Sequence, residues 1–285
     1  MKKKELLQKI FILIAVVLTF FVYWIYRSTT ADLTPPEITV VDGIPEISVL
    51  DDQAVLLQGV TAKDNRDGDV TDSILVENVY GITADNLVTV TYAAFDRAGN
   101  VSKTQRQVRY VDYEPTRFTL NQSLTLNNGS SVDIMNYLGA EDILDGNLHR
   151  KIRSTLVSDT GSLSQVGTHQ ILVQVTNSLG YTAELTLPVE VHMLGTYNAN
   201  LELREYMVYL ETGDTFNPKS YLSEFSYTGH EVVITNTIPS ELSLVIDGSV
   251  NTSEPGVYPV YYTVSTQYFD TVYSARSCLI VVVTE

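Results

Sequence analysis

The sequence has little of the chemistry on which most enzymes and metal centres depend. Its 285 residues include one cysteine and four histidines, and the histidines fall in no metal-binding spacing. The nucleophile elbow, the phosphate loop and the dinucleotide fingerprint are also missing. The single thiol, Cys278, lies in an apolar run that predicts a buried strand, where cysteine acts as a small hydrophobe. The sequence therefore predicts a protein that is not an enzyme and requires no cofactor.

Basic residues are scarce as well. The chain has 18 Lys and Arg against 34 Asp and Glu, which gives a formal charge of −16. The first 27 positions hold five of those basic residues and one acid, Glu5, so the chain from residue 28 onward carries a charge of −20. Binding to phosphate backbones needs clustered Lys and Arg, and nucleic acid is therefore excluded as a partner. The same charge attracts divalent cations, whether or not a formed site exists.

One long apolar run is present near the amino terminus. Residues 10–26 contain no charge and, as a helix, span roughly 25 Å, close to the thickness of a membrane core. Lys2, Lys3, Lys4 and Lys9 precede the run, and Tyr23, Trp24 and Tyr26 close it. The positive-inside rule then predicts a cytoplasmic tail over residues 1–9, a transmembrane helix over 10–26 and an external linker over 27–36. The alternative is a signal peptide cleaved near Thr29-Thr30-Ala31.

The remainder of the chain lacks amphipathic helical segments and instead alternates apolar with polar residues. The clearest strand runs over residues 87–95, with Val88, Val90, Tyr92 and Ala94 on one face. Strands with the same alternation recur over residues 168–176 and 257–265. The ends of the last strands place three domains at 37–111, 112–192 and 193–285, joined by short linkers. The predicted fold is all-β, with three tandem immunoglobulin-like sandwiches after one helix.

A repeated pair of motifs supports this division. Asp64-Asn65-Arg66-Asp67-Gly68-Asp69 and Phe95-Asp96-Arg97-Ala98-Gly99-Asn100 return as Asp142-Ile143-Leu144-Asp145-Gly146-Asn147 and Thr176-Asn177-Ser178-Leu179-Gly180. A repeat of about 80 residues is typical of tandem domains.

The first pair of motifs also carries a resemblance. Gly59-Val60-Thr61-Ala62 leading into Asp64–Thr71, with Val88–Tyr92 leading into Asp96–Asn100, resembles the bacterial immunoglobulin-like domain of Cry22Aa-type pesticidal crystal proteins and many Gram-positive surface proteins. The match is specific over residues 35–111, partial over 112–192 and only architectural over 193–285. The resemblance implies an extracellular β-sandwich that serves as a spacer or adhesion module, with no defined ligand.

The acidic loop and the acidic hairpin are expected to meet at one pole of each sandwich, because both lie at the end where the domain begins. Closely spaced carboxylates on a glycine-containing loop are suitable calcium ligands. The residues predicted for such sites are Asp64, Asp67, Asp69, Asp96, Asp142 and Asp145. The other interpretation is structural, since Asp-Gly forms tight turns and the flanking acids cap backbone N–H groups.

Ten of the 18 tyrosines fall in the last domain. Exposed tyrosine is a common contact residue, although tyrosine also forms strands well. The alternation places Tyr258 and Tyr262 in the core and Tyr261 outward. Tyr261 is accordingly predicted to bind a partner, either an extracellular protein or a glycan.

The leading functional hypothesis is a single-pass cell-surface protein whose immunoglobulin-like domains act outside the cell in adhesion, spacing or partner binding. The alternative is the ectodomain subunit of a bacterial envelope complex for secretion, division or wall processing. A remote alternative is a polysaccharide-active enzyme, for which a cleft with paired carboxylates would be required.

Overall fold

The computed structural model describes residues 2–130, 133–157, 163–235 and 237–285. The chain divides into two compact units, of which the first ends at Val111 and the second begins at Asp112. The β-strands of each unit are formed by the segments in which apolar and polar residues alternate.

Helix α1 (Lys2–Thr30) contains the apolar run. The stretch Lys4–Arg27 is long and apolar enough to cross a membrane, and none of it is buried within the protein. The helix extends beyond residues 10–26 at both ends, because the lysine-rich start has good helix propensity and neither proline nor glycine lies between Tyr26 and Thr30. It therefore includes part of the segment predicted as a linker. The side chains of Lys2 and Lys3 lie outside the described residues.

The first domain is a sandwich of a three-stranded and a four-stranded sheet, ordered β1-β3-β4 and β2-β7-β6-β5. Its strands are β1 (Glu37–Val40), β2 (Glu46–Ile47), β3 (Val60–Asp64), β4 (Gly68–Asp69), β5 (Leu75–Tyr80), β6 (Leu87–Phe95) and β7 (Val101–Tyr110). Strand β2 runs parallel to β7, and the other pairs are antiparallel. The predicted inward face of β6 is confirmed, because Val88, Val90, Tyr92 and Ala94 are buried.

The second and third domains repeat this arrangement strand for strand. The second contains β8 (Arg117–Leu120), β9 (Thr125–Asn127), β10 (Leu138–Asp142), β11 (Gly146–Asn147), β12 (Arg153–Leu156), β13 (Gly167–Thr176) and β14 (Thr182–His192). The third contains β15 (Asn200–Leu203), β16 (Met207–Glu211), β17 (Leu222–Tyr227), β18 (His230–Val233), β19 (Ser243–Asp247), β20 (Gly256–Tyr268) and β21 (Thr271–Thr284). Their sheets follow the same strand order as in the first domain. The predicted all-β fold with tandem immunoglobulin-like sandwiches is thus confirmed, even where the third sequence has diverged.

A buried tyrosine in the sixth strand shows the same kinship between the first and third domains. The Tyr92 hydroxyl donates to the Leu56 carbonyl over 2.7 Å, and the Tyr262 hydroxyl donates to the Pro218 carbonyl over 2.8 Å. Both carbonyls lie in the turn that precedes the third strand of the domain. Such a side-chain bond to an upstream backbone group is similar to the tyrosine corner of immunoglobulin-like domains.

The second and third domains share apolar surface, which explains why residues 112–285 form one unit. In β21, Leu279, Val281 and Val283 pack into the core of the third domain. The intervening residues Cys278, Ile280 and Val282 pack with the core of the second domain. Since successive strand residues point to opposite faces, β21 is buried on both sides.

Hydrogen bonds fix this junction. The Tyr209 hydroxyl accepts from the Phe118 N–H over 2.8 Å, and the Cys278 N–H donates to Ser123 Oγ over 2.7 Å. Burial raises the pKa of the Cys278 thiol to about 12. The thiol is therefore protonated at neutral pH and has little nucleophilic character.

Tyr261 requires a correction. It points out of its own sandwich, as the alternation predicts, but it packs against the core of the second domain instead of facing solvent. The guanidinium of Arg276 lies over its ring, 4.7 Å from the centroid, and Arg276 Nε donates to Glu190 of the second domain over 2.9 Å. The outward face of β20 is covered around Tyr261 by a neighbouring domain of the same chain, so Tyr261 is not part of a free binding surface.

Candidate functional site

Three carboxylates from distant parts of the sequence meet at one pole of the first domain. Asp64 ends β3, Asp96 follows β6, and Asp32 lies in the linker two residues after α1. One side-chain oxygen from each residue lies within 4.8 Å of the other two. Asp64 and Asp96 are 3% and 9% exposed, and the Asp32 side chain is 9% exposed. We refer to Asp32, Asp64 and Asp96 as the acidic pole.

The two oxygens of Asp64 have very different surroundings. Oδ1 accepts hydrogen bonds from the backbone N–H groups of Arg66 and Asp67, each over 2.8 Å. The N–H groups of Asp67 and Arg66 lower the pKa of Asp64, which is therefore ionised at neutral pH. Oδ2 is also buried but accepts no hydrogen bond from any residue in the described ranges. A buried carboxylate oxygen without a hydrogen-bond partner raises the free energy of the folded state, so a ligand that contacts this atom would stabilise the protein.

Asn100 connects the other two acids. Its backbone N–H donates to Asp96 Oδ1 over 2.7 Å, and its side-chain Nδ2 donates to Asp96 Oδ2 over 2.6 Å. The same Nδ2 donates to the Asp32 carbonyl oxygen over 3.1 Å. Asp32 Oδ2 lies 3.7 Å from Nε of Arg66, a side chain that is 51% exposed. The linker is thus already held against the hairpin that carries Asp96.

The other two acids predicted for this pole have structural contacts. Asp67 Oδ2 accepts from the Arg97 N–H over 2.8 Å, which joins the acidic loop to the β6–β7 hairpin. Asp69 Oδ1 accepts from the Thr71 N–H over 2.9 Å, and hydrogen bonds from Thr71 lower the pKa of Asp69. Gly68 has a φ of 74°, a conformation that favours glycine in this tight turn. The structure therefore brings Asp64 and Asp96 together with Asp32. Asp67 and Asp69 instead accept hydrogen bonds from nearby backbone N–H groups and stabilise the loop.

The second domain has the same framework with different side chains at its centre. Asp142 Oδ1 accepts from the N–H groups of Leu144 and Asp145, just as Asp64 Oδ1 accepts from its own loop. Asp142 Oδ2 accepts from Thr116 Oγ1 over 2.5 Å and from Asn177 Nδ2 over 3.0 Å. Burial raises the pKa of Asp142, but the hydrogen bonds from Thr116 and Asn177 outweigh it and leave that pKa below its usual value.

Asp145 repeats the structural contact of Asp67. Its Oδ2 accepts from the Ser178 N–H over 2.7 Å and lies 3.3 Å from Lys151 Nζ. Both predicted acids of the second domain are therefore supplied with donors from the protein itself. The two poles differ at the positions of Thr116 and Asn177, where the first domain has Pro36 and Asp96. Proline and carboxylate have no proton to donate, so the first domain leaves Asp64 Oδ2 unpaired.

The third domain carries aromatic rings at the corresponding pole. Tyr227 and His230 flank the β17–β18 turn, and Tyr268 and Phe269 lie at the β20–β21 turn. The His230 and Tyr268 centroids are 4.6 Å apart, and those of Tyr268 and Phe269 are 4.5 Å apart. Tyr227 lies 5.1 Å from Tyr273. We call the rings of Tyr227, His230, Tyr268, Phe269 and Tyr273 the aromatic pole.

The two turns of the aromatic pole are open to solvent and conformationally unusual. Phe269 is 80% exposed and has a φ of 49°, while Thr228 in the neighbouring turn has a φ of 43°. Left-handed backbone is disfavoured for bulky and β-branched residues and often marks functional positions. A surface cavity of about 390 Å³ beside the rings is lined by Asn198, Asn200, Tyr227 and His230 among others.

Sequence reasoning missed Asp32 and the aromatic pole. A signal for Asp32 was present, because it stands three residues before Pro35 just as Asp112 stands three residues before Pro115. The aromatic pole could have been found by aligning the turns of the third domain with the acidic turns of the other two.

Comparisons with known proteins add only a general likeness. The sequence matches no protein-family model and no curated protein. Among solved structures, extracellular cadherin domains 1–5 of protocadherin gamma B2 match with a TM-score of 0.21 and 13% identity, over 88% of this chain and 60% of that one. Mouse cadherin-23 EC22-24 matches with a TM-score of 0.21 and 10% identity, over 88% of this chain and 99% of that one.

A bacterial structure gives a similar result. The lipoprotein BT2262 from Bacteroides thetaiotaomicron matches with a TM-score of 0.23 and 12% identity, over 56% of this chain and 77% of that one. The chain spans 51 to 65% of the length of the first three protocadherin structures that it matches. The immunoglobulin-like classification rests on the strand order and pairing described above, not on these superpositions.

Proposed function

We propose that this chain is a single-pass protein of a bacterial cell membrane whose immunoglobulin-like domains act outside the cell in adhesion, spacing or partner binding, without catalysis. The observation that carries the proposal is the Lys4–Arg27 stretch of α1, which is long, apolar and unburied. An apolar surface of that length is stable only if lipid covers it. The three sandwiches follow this helix without another candidate membrane span among the described residues.

The orientation follows from charge. Lys4 and Lys9 lie before the apolar run, and the chain beyond Arg27 is strongly acidic. Positive residues remain preferentially on the cytoplasmic side, so the amino terminus is placed inside and the carboxyl terminus outside. Such an external array agrees with the role that the Cry22Aa-type resemblance implies for the first two domains, as in Gram-positive surface proteins.

The recognition surface in this proposal is the aromatic pole. His230 and Phe269 are exposed, and the ring of Tyr268 contacts both, tilted by 56° against His230 and by 67° against Phe269. These rings offer apolar faces and edges at little cost in rotamer entropy. The adjoining cavity adds the polar side chains of Asn198 and Asn200. The acidic surface of the protein disfavours acidic partners. Neutral glycans combine apolar ring faces with hydroxyl groups and match this surface.

The membrane topology can be tested with the full chain tagged at both ends. We expect protease added to intact cells to remove the carboxyl-terminal tag and to leave the amino-terminal tag until the cells are lysed. Scrambling the order of residues 6–26 at constant composition should preserve membrane insertion and exposure of the domains outside the cell. Insertion depends on the hydrophobicity of the segment and not on the order of its residues. A mature protein without its amino-terminal tag would show a cleaved signal peptide. Normal insertion with loss of biological activity would instead indicate an envelope-complex subunit.

Binding can be tested with lipid vesicles that carry the full chain, applied to an array of neutral glycans. We expect selective binding that Phe269→Ala weakens about tenfold or more, because central aromatic contacts carry much of the energy of an interface. Tyr80→Ala is the matched control, since Tyr80 is a partly exposed tyrosine of the first domain. Equal binding by wild type and Phe269→Ala would contradict recognition at the aromatic pole. Absence of binding to every neutral glycan would contradict the ligand class.

A further inference from the structure

We propose that the acidic pole of the first domain binds one divalent cation of the calcium class, with Asp32, Asp64 and Asp96 each supplying oxygen. This inference goes beyond surface display and uses only residues of the first unit. It assigns to a single site one residue, Asp32, that neither sequence motif contains.

The spacing of the three carboxylates suits one ion. Calcium–oxygen distances are about 2.3–2.6 Å, so two oxygens on one ion can be separated by up to about 5 Å. The three acidic oxygens lie within 4.8 Å of one another. One ion placed between the three oxygens therefore lies at or slightly beyond its normal bonding distance from each, which a small side-chain adjustment would complete. Carbonyl oxygens and water are the usual remaining ligands of such an ion.

Electrostatics gives the second argument. Asp64 and Asp96 are nine-tenths or more buried, and like charges at this separation repel one another in a low-dielectric environment. Arg66 contacts Asp32 at 3.7 Å and offsets one negative charge. Oδ2 of Asp64 is buried and accepts no hydrogen bond from the described part of the chain. A divalent cation would neutralise the remaining charge and satisfy this oxygen.

The second domain shows how the same framework is completed without a cation. There Thr116 and Asn177 donate to the equivalent oxygen of Asp142. In the first domain these donors are replaced by a proline and by a third carboxylate acceptor. The loop contacts of the central acid and the bond from the hairpin N–H to the second loop acid are the same in both domains, whereas Tyr181 stands where the first domain has Asn100. The two domains therefore share a framework and differ in the donors around this oxygen.

The ligand chemistry selects among metals. All three side chains are carboxylates, and neither histidine nor cysteine belongs to the cluster. Oxygen-only sets suit calcium and magnesium, whereas zinc and copper favour nitrogen and sulfur. Magnesium prefers to retain several waters, while calcium accepts several carboxylates in flexible geometry. Calcium is thus the ion that this site fits best.

The cation would also have a mechanical effect. Asp32 lies between the end of α1 at Thr30 and the start of β1 at Glu37, and the other two ligands belong to the body of the domain. Coordination would cross-link the linker to two loops, in addition to the Asn100 hydrogen bond that already holds it. The bound ion would slow opening of the linker at the base of the first domain.

The test measures hydrogen exchange of the full chain in detergent micelles against calcium concentration, with 0.1 M KCl to screen loose counterion binding. We expect slower exchange over residues 31–36 and 64–70, saturating with a dissociation constant on the order of 10⁻⁴ to 10⁻³ M, as in extracellular calcium modules. Asp32→Asn and Asp96→Asn should each weaken the response about tenfold or more. Asp72→Asn, which removes an exposed charge near the same loop, should leave it unchanged.

Each outcome bears on the site directly. A response without saturation, or an equal loss in Asp72→Asn, would show general attraction to the acidic surface and would overturn the proposal. Asp96→Asn places at position 96 the residue that the second domain carries at 177, so the fold should be retained. Hydrogen exchange of the β6 backbone amides at the wild-type rate would verify that Asp96→Asn retains the fold. Asp32→Asn lies in the linker and provides an independent variant that does not disturb the core.

Discussion

Replacing Ile280 with alanine is expected to destabilise the unit formed by residues 112–285 by about 2–5 kcal/mol, the range for truncating a buried isoleucine. Ile280 is fully buried, and although it belongs to β21 of the third domain its side chain packs with the core of the second. The truncation would leave a cavity at the junction, where neighbouring side chains have little freedom to fill it. Both domains should therefore lose stability together.

Denaturant unfolding of the full chain, followed by hydrogen exchange, checks this expectation. Leu279→Ala is the matched control, because Leu279 is the adjacent residue of the same strand and packs into the third domain alone. Ile280→Ala should lower protection in β13 and in β20, whereas Leu279→Ala should act first on β20. Unchanged protection of β13 in Ile280→Ala would refute the shared core. The first domain serves as an internal reference in both variants.

This junction also shows where sequence reasoning stops. Alternation correctly predicts the core-facing side of β6, but Thr91 and Ala93 on the opposite side are buried as well. The run from Cys278 to Val283 does not alternate, and a continuous apolar run is typical of a strand covered on both faces. The sequence thus contained the signal for a second buried face. Which domain covers that face depends on the path of the chain, and no local pattern carries that information.

The misassigned position of Tyr261 has the same cause, because local sequence does not reveal which domain covers an outward face. Alternation correctly places its side chain outside its own sandwich, but an outward position in a multidomain chain does not by itself mean exposure to solvent. The second domain instead covers the ring, and burial raises the pKa of Tyr261 well above its usual value. When domains are joined by short linkers, an outward-facing residue close to a linker can be covered by the neighbouring domain and is then not available to a partner.

The acidic pole was predicted in part for a related reason. The approach of the Asp64 loop to the Asp96 hairpin follows from immunoglobulin-like topology, which sequence motifs are able to identify. The position of Asp32 depends on how an irregular linker folds back, and there Asn100 makes the deciding contact with the Asp32 carbonyl. The contrast with Asp142 depends on single hydrogen-bond donors, which become visible only when the two domains are compared atom by atom.

Asn177→Asp is expected to destabilise the second domain at pH 7 by about 2–4 kcal/mol, because it turns a donor to a buried carboxylate into a second carboxylate. Asn177 Nδ2 now donates to Asp142 Oδ2 over 3.0 Å and to the Tyr113 hydroxyl over 2.9 Å. The substitution removes the donor to Asp142, leaves a contact with Tyr113 only if that hydroxyl donates, and places two acids in contact at a site where Asn177 is buried. The new pair would resemble the arrangement at the first domain's pole.

The pH dependence of this variant distinguishes charge repulsion from simple loss of packing. Two carboxylates in contact share a proton, so one of them has a folded-state pKa above its unfolded value. For such a group the folded state is favoured below the unfolded pKa, and that stability is lost as pH rises through the raised folded pKa. The deficit of Asn177→Asp relative to wild type should therefore be smaller at pH 5 than at pH 7. Asn177→Leu, which removes the donor without adding a charge, should show a smaller change in deficit between the two pH values, since loss of one donor raises the pKa of Asp142 less than a second carboxylate in contact does. Urea unfolding of the full chain at the two pH values measures both deficits, and a pH-independent deficit in Asn177→Asp would contradict the interpretation of this pole as an electrostatic centre.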